Sequence, residues 1–377
     1  MSEYQYYEFQ AIDHPLDEAD RQALRAISTR ARITVTSFTN TYEWGDLKGD
    51  PAAFMERWFD LHLYLANWGS RRLMIRLPPG LVDRVRIEAL LRNVEVARLL
   101  VAGEHLILDI HRDEVEVEDW DDGAGWLAAL MPLRADLLAG DLRLFHLLWL
   151  AAIEVGDIDH DEPEPLSGLG PMTPALEACA RFFAIDPDLV QAAAERPADP
   201  GMAGLSVLAV RQAIAAMPEP GKNGLLLRLF ENAPRAAAEL RAELRQRLAP
   251  EASVPPVTPR SARELIARAE AIRLARARAA AEQAAAAQAR EAKAAEKARQ
   301  VRLDALARRG EAVWSEVETE IERRNASGYD RALALLLDLK ALAEQRGMPS
   351  DFATRLAAIG HRHARKPRFT ERLTAFW

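Results

Sequence analysis

The 49 residues from Ser261 to Arg309 contain neither glycine nor proline, and alanine, arginine, glutamate, lysine and glutamine make up most of them. These are the strongest helix formers. The tract therefore predicts one long basic helix over 261–310, roughly 70 Å from end to end at 1.5 Å per residue. Leu265 and Ile272 stand seven apart near its start, and Val301, Leu303 and Leu306 close its far end. Between Leu274 and Val301 there is no large apolar residue. Alanine buries little area, so a stable two-stranded coil over the middle is not expected. That stretch reads as a helix that is solvated or laid on a partner.

Charge divides the chain at the same place. Residues 260–377 carry 24 Lys+Arg against 16 Asp+Glu, which leaves 25 against 41 for residues 1–259. An acidic body is thus joined to a basic arm, and their opposite signs make an intramolecular clasp a natural option. Hydrophobic residues make up 49% of the 377, enough for a sizeable core. The N-terminus lacks a positive segment followed by an apolar one. The most apolar window, Leu142–Val155, is shorter than the ~20 residues of a membrane span. A soluble, cytoplasmic, non-membrane protein is expected.

The first 122 residues alternate strand and helix signals. Tyr4–Ile12 is aromatic-rich and reads as a strand, Asp17–Ser28 as an amphipathic helix, and Arg32–Trp44 as a strand with a bulge near Ser37. Asp50-Pro51 is a helix start. Phe54, Trp58, Leu61, Leu65 and Trp68 then form one stripe, which predicts a helix to Trp68. Arg72–Leu77 alternates as a strand, Val82–Leu91 is a short helix, and Val94–Val101 with His105–His111 is a hairpin. From Gly123 the pattern turns helical, with segments near 124–138, 142–155, 174–183, 188–195, 206–216, 224–230 and 234–248. An acidic, Pro/Gly-rich loop lies over 157–174. Residues 250–260 read as a linker. Four helices near 311–324, 329–346, 349–359 and 367–373 follow the arm. The expected fold is an α+β N-terminal domain (1–122), a helical domain (123–249), one long Ala/Arg-rich helix and a small helical bundle with a basic tail (311–377), mostly α overall.

Catalytic patterns are sparse. Cys179 is the only cysteine, which excludes a disulfide framework and a cysteine zinc cluster. It lies on an apolar helix face, where a thiol is inert. The acidic run Asp157–Glu162 lacks the Gly and Glu of an EF-hand loop. Pro220–Gly224 lacks the Walker spacing, and Ser167–Gly170 follows no strand, so it is no dinucleotide fingerprint. His62 and His146 lie among apolar residues and read as core or boundary positions. His361 and His363 have no third ligand. No cofactor and no metal are expected. A metal-dependent hydrolase or nuclease would centre on Asp109, yet the glutamates that follow it come without a lysine.

Two surfaces suggest docking. Arg273, Arg276 and Arg278 form one basic cluster on the arm. Arg290, Lys293 and Lys297 share one helix face, and Arg365, Lys366 and Arg368 extend the basic run in the tail. These could track phosphates. They also suit an exposed helix stabilised by i,i+3 and i,i+4 pairs such as Glu264–Arg268. Twelve of the 25 aromatics precede residue 70, and most of them should be core. Tyr4, Tyr6, Tyr42 and Trp44 could instead line a partner platform, since Tyr and Trp favour interfaces.

YYEFQAIDHPL, STRARITVTSF and FDLHLYLANWGSRRLMIRLP, over the first 80 residues, resemble the opening of an uncharacterised bacterial protein family, which implies no transferable activity. The segment from Tyr329 to Pro367 is similar to the helical tail of bacterial SWIM zinc-finger proteins. With a single cysteine no zinc site carries over, so this resemblance implies a shared docking tail in a nucleic-acid-related assembly. The expected function is a non-enzymatic interaction or scaffold protein with a protein partner. A nucleic-acid-associated accessory factor is the alternative, and the metal-dependent hydrolase or nuclease the second alternative. The sequence sets no oligomeric state.

Overall fold

A computed structural model describes residues 3–116, 120–198, 207–231, 236–248 and 258–376. It divides into two compact units, residues 1–275 and 276–377. The first is built on a sheet of seven antiparallel strands in the order β2-β3-β1-β4-β5-β7-β6. These are β1 (Gln5–Gln10), β2 (Arg32–Ile33), β3 (Ser37–Tyr42), β4 (Leu61–Ala66), β5 (Arg71–Leu77), β6 (Ala97–Ala102) and β7 (His105–Arg112). Helices α1 (Glu18–Ile27), α2 (Pro51–Arg57) and α3 (Arg84–Leu90) interleave with them. Asp17, Asp50 and Asp83 each cap a helix start through the side-chain oxygen, as short polar side chains do at orphaned N–H groups.

Two of the elements expected in the first 122 residues differ. The segment Arg32–Trp44 is not one bulged strand. Thr34 N donates to Ser37 O at 2.9 Å, and its hydroxyl accepts from Ser37 N. The chain reverses there, and β2 pairs back on β3. The helix read over 50–68 stops at Arg57, and Leu61–Ala66 is β4. Leu61 and Leu65 lie on the helical stripe and, with Leu63 between them, also keep a period of two. Pairing with β1 on one side and β5 on the other settles the choice.

The sheet has two covered faces. Phe9, Phe38, Met74 and Ile107 pack on one face with Leu24 of α1 and Phe54 and Met55 of α2. The other face, with Leu63, Ile75 and Leu108, meets a helical layer. That layer comprises α4 (Trp126–Leu130), α5 (Pro132–Ala139), α6 (Arg143–Val155), α7 (Pro174–Phe182) and α8 (Pro187–Ala194). Pro132, which lacks an N–H, divides the helix expected over 124–138 into two. The sheet and these helices share one core, so the boundary expected at residue 122 separates sheet from helices but not two cores.

A smaller cluster joins α9 (Val207–Ala215), α10 (Glu219–Phe230) and α11 (Ala236–Arg247) around Met217 and Leu244. α10 starts at Glu219, so Pro218–Gly224 caps and opens a helix where a break was expected. Most of the expected linker, residues 250–257, lies outside the described residues. The long helix α12 runs from Ala262 to Arg309. Ala262, Leu265, Ala269 and Ile272 from its first turns are buried in the core of the first unit.

The second unit packs Leu303 and Leu306 of α12 with α13 (Glu311–Glu322), α14 (Ala326–Gln345), α15 (Pro349–Arg362) and α16 (Pro367–Leu373). Val317, Tyr329, Leu336, Leu356 and Phe369 fill its centre. The observed class is the expected one, an α+β sheet domain followed by a mostly helical region with one long helix. Among the described residues, no helix is long and apolar enough to cross a membrane.

Candidate partner-binding surfaces

The acidic, Pro/Gly-rich loop over 157–174 holds a buried anchor for the arm. Glu164, between two prolines, is buried. Arg260 donates Nη2 to its Oε2 at 2.8 Å and Nε to its Oε1 at 3.1 Å. The Arg260 Nη1 and Nη2 also donate to the carbonyls of Ala192 and Ala193 at the end of α8. Glu164 N donates to Arg260 O at 2.7 Å, so backbone and side chain lock together. Arg196 adds a second guanidinium at 3.4 Å. The loop reaches α8 because Gly168 and Gly170 carry no Cβ: one at Gly170 would stand 2.3 Å from Ala194 O. The Ser167–Gly170 motif is thus explained by close backbone approach.

Ion pairs continue the clasp along α12. Arg263 meets Asp161, Arg268 meets Glu195, and Arg273 meets both Asp186 and Asp188. Arg273, expected as a partner contact, is therefore engaged within its own unit. Glu195 is held below the usual carboxylate range by its bond from Arg268.

Beyond the clasp the helix is bare. From Arg276 to Arg299 every side chain of α12 is exposed. Arg276 has an interaction of its own. Arg278, Arg290, Lys293 and Lys297 form no ion pair among the described residues. In the bundle Lys366 donates to Glu322 at 2.7 Å, whereas Arg365 and Arg368 are exposed. Other basic residues of the second unit are also paired: Arg302 with Asp338, Arg309 with Glu316, Arg355 with Glu311, Arg362 with Glu318 and Arg372 with Asp330. His363 is buried against Glu318 and Glu322, so it serves packing within the bundle.

The aromatic platform does not assemble. Tyr6 is buried on the helix-covered face of the sheet, under a turn whose Gly123 leaves no room for a Cβ beside its ring. Tyr4 packs on that side, against Trp120. Tyr42 lies across the sheet with Tyr7, their ring centroids 5.7 Å apart. Trp44 alone is well exposed, at 77%. Tyr7 donates to Asp46, and burial together with that bond raises its phenol. Burial also raises Tyr64, to about 12.

Asp109 takes Nε and Nη2 of Arg72 at 2.7 and 3.0 Å and the same two atoms of Arg98 at 3.0 and 2.9 Å. Burial alone would raise this carboxyl; the two guanidiniums outweigh it and hold it below the usual range. Asp60 and Asp13 are likewise bound by Arg76 and Arg134 in a buried network closing the sheet against α5. Among the described residues no group of three His, Cys, Asp or Glu is placed to hold a metal ion. Burial drives His62 down to about 3 and His146 to about 4, and raises Cys179 to about 12, so all three are uncharged at neutral pH. The sequence reading missed Glu164 and Arg260; the one signal was a glutamate fixed between prolines in an otherwise open acidic loop. Comparisons with family models, with curated proteins and with solved structures find no match for this chain.

Proposed function

We propose that this is a non-enzymatic interaction protein whose partner docks on the bare part of α12. The observation that carries this reading is the uniform exposure of residues 276–299, between turns that are packed at either end of the same helix. A helix with no buried face draws nothing from tertiary packing. Its alanines also allow close approach by a second element. The partner is a protein with an acidic or groove-like surface that accepts this helix.

A second reading, contact with nucleic acid, is supported by Arg290, Lys293 and Lys297 on one face and by the exposed Arg365 and Arg368. It has fewer cations at its disposal than the net charge of the arm suggests, because intramolecular carboxylates occupy many of them. The hydrolase reading is the weakest, since both oxygens of Asp109 are already engaged.

The test is affinity capture from the source cell extract with the full chain and with the triple variant Arg290→Glu, Lys293→Glu, Lys297→Glu. A protein retained by the native chain at about 0.3 M salt, where exposed charges are screened beyond roughly 6 Å, and lost with the variant, is the expected result. Recovery of nucleic acid alone, released by salt, would replace it with the second reading. Identical capture by both chains would refute a site on this helix.

A further inference from the structure

The sheet treats its two edges differently. One ends in β2, two residues long. The other ends in β6, six residues long, with Val101 60% exposed and Leu99 and Leu100 half-buried. Short edge strands deter pairing, and a long apolar edge invites it. The backbone of β6 shows which groups are free. His111 N donates to Val96 O at 2.8 Å, and the register pairs Arg98 with Asp109, Leu100 with Ile107 and Ala102 with His105. Bonded pairs alternate along an antiparallel ladder, so Val96, Arg98, Leu100 and Ala102 bond inward to β7. Leu99 and Val101 turn their N–H and C=O groups to the outside.

We infer that β6 is a self-association edge, and that a second copy of this chain adds its own β6 antiparallel to it. The occupant is argued from charge. Arg98 stands at one end of the strand on the face that α1 and α2 cover, and its guanidinium shares the single carboxylate of Asp109 with Arg72, which leaves one positive charge in excess. At the other end the exposed Glu56 of α2 reaches the turn: its Oε1 lies 2.9 Å from where a Cβ on Gly103 would be. No ion pair engages Glu56 among the described residues.

A two-fold axis through Leu100 puts Leu99 opposite the partner's Val101 and Val101 opposite the partner's Leu99. Each of these pairs exchanges two backbone hydrogen bonds. The same axis sets Arg98 opposite the partner's Ala102, within reach of the partner's Glu56, and repeats that contact on the other side. The edge is therefore complementary to itself, as an isologous interface must be. Two seven-stranded sheets become one. This site lies apart from α12 and does not depend on the docking reading.

The experiment is sedimentation equilibrium of the full chain from about 1 to 200 µM, a range that brackets a dissociation constant near 10 µM. The native chain is expected to reach twice the chain mass. Val101→Pro removes an outward N–H at a position where an edge strand tolerates proline, and should weaken association at least tenfold with an unchanged circular-dichroism spectrum. Should that variant fail to fold, Glu56→Lys, at an exposed position, should weaken association most at low salt. A monomer at 200 µM overturns the proposal. A dimer whose affinity neither substitution changes overturns it as well, because another surface would then hold the copies together.

Discussion

Removing Arg260 tests the clasp at its tightest point. In Arg260→Ala, Glu164 keeps only the backbone N–H of residue 260 at 3.0 Å and Arg196 at 3.4 Å. The carbonyls of Ala192 and Ala193 lose the donors that Arg260 supplied. Breaking one side of a buried ion pair costs about 3–5 kcal/mol. The surviving Arg196 places this case at the low end, about 3 kcal/mol, or roughly a hundredfold in an opening equilibrium. The loss falls first on the turns of α12 that the pair secures. Hydrogen exchange of the full chain should therefore show amides over 262–273 exchanging roughly a hundredfold faster, with the bundle amides of 311–373 unchanged.

His146 adds a signature in pH. Its Nε2 lies 3.8 Å from Glu164 Oε2. Burial keeps the imidazole neutral, and Arg260 opposes its protonation further. Without Arg260 the stranded carboxylate favours a protonated His146, so the exchange defect should shrink as pH falls from 7 to about 5. Replacing both partners, as Glu164→Gln with Arg260→Met, should recover most of the lost protection, since no charge is then left unpaired. Protection of 262–273 within about twofold of the native chain in Arg260→Ala would refute the reasoning, because opening free energies that differ by so little leave no room for an anchor.

Other perturbations follow from the same geometry. His62 is buried with a pKa near 3, well below its unfolded value. Its contribution to stability is thus complete above about pH 6.5 and declines as pH falls toward 3, by up to about 1.4 kcal/mol per pH unit; urea midpoints at pH 7 and pH 5 should show a shallower fall for His62→Phe than for the native chain. Gly170→Ala should destabilise the first unit by about 1–3 kcal/mol, because the added methyl meets Ala194 O; a thermal midpoint within about one degree of the native value would show that the loop yields freely. Cys179, fully buried and raised to about 12, should react with a thiol reagent only in denaturant, and prompt labelling of the native chain would contradict its placement.

The long helix was legible because propensity and the absence of breakers agree over its whole length. β5 and the β6–β7 hairpin were legible because alternation and a turn signal coincide. Leu61–Ala66 was not, since Leu61 and Leu65 fit both periods and only its neighbours β1 and β5 decide between them. The β2–β3 turn was hidden for a different reason: Thr34 and Ser37 make it with side-chain hydroxyls, and neither glycine nor proline marks it. The aromatic platform failed because strand parity places Tyr6 and Tyr42 on opposite faces of the sheet. The clasp needed two segments about a hundred residues apart, and no local pattern pairs Glu164 with Arg260. Composition gave only its sign, an acidic body and a basic arm.

That sign also limits what the arm does with nucleic acid. The net charge of 260–377 suggests a broad phosphate-binding surface, yet the ion pairs of the clasp and the bundle occupy many of those cations. Of the arm residues expected to meet a partner, Arg290, Lys293 and Lys297 share one face with no ion pair. A helix lying along duplex DNA through that face neutralises about three phosphates. The slope of log affinity against log salt would then be near −2.7, and raising salt from 50 to 200 mM would weaken binding about 40-fold. A clamp using most of the arm's arginines would show a slope of about −6 or steeper, and a loss of several thousandfold. Fluorescence anisotropy with duplex DNA, single-stranded DNA and RNA on the full chain separates the two. Arg278, Arg365 and Arg368, exposed and without an ion pair among the described residues, would carry the slope to about −5.4; a slope clearly steeper than about −6 would mean that binding opens the intramolecular pairs, with Arg263, Arg268 and Arg273 leaving their carboxylates for phosphate. A slope near −3 that vanishes in the triple glutamate variant would place the contact on the bare face alone.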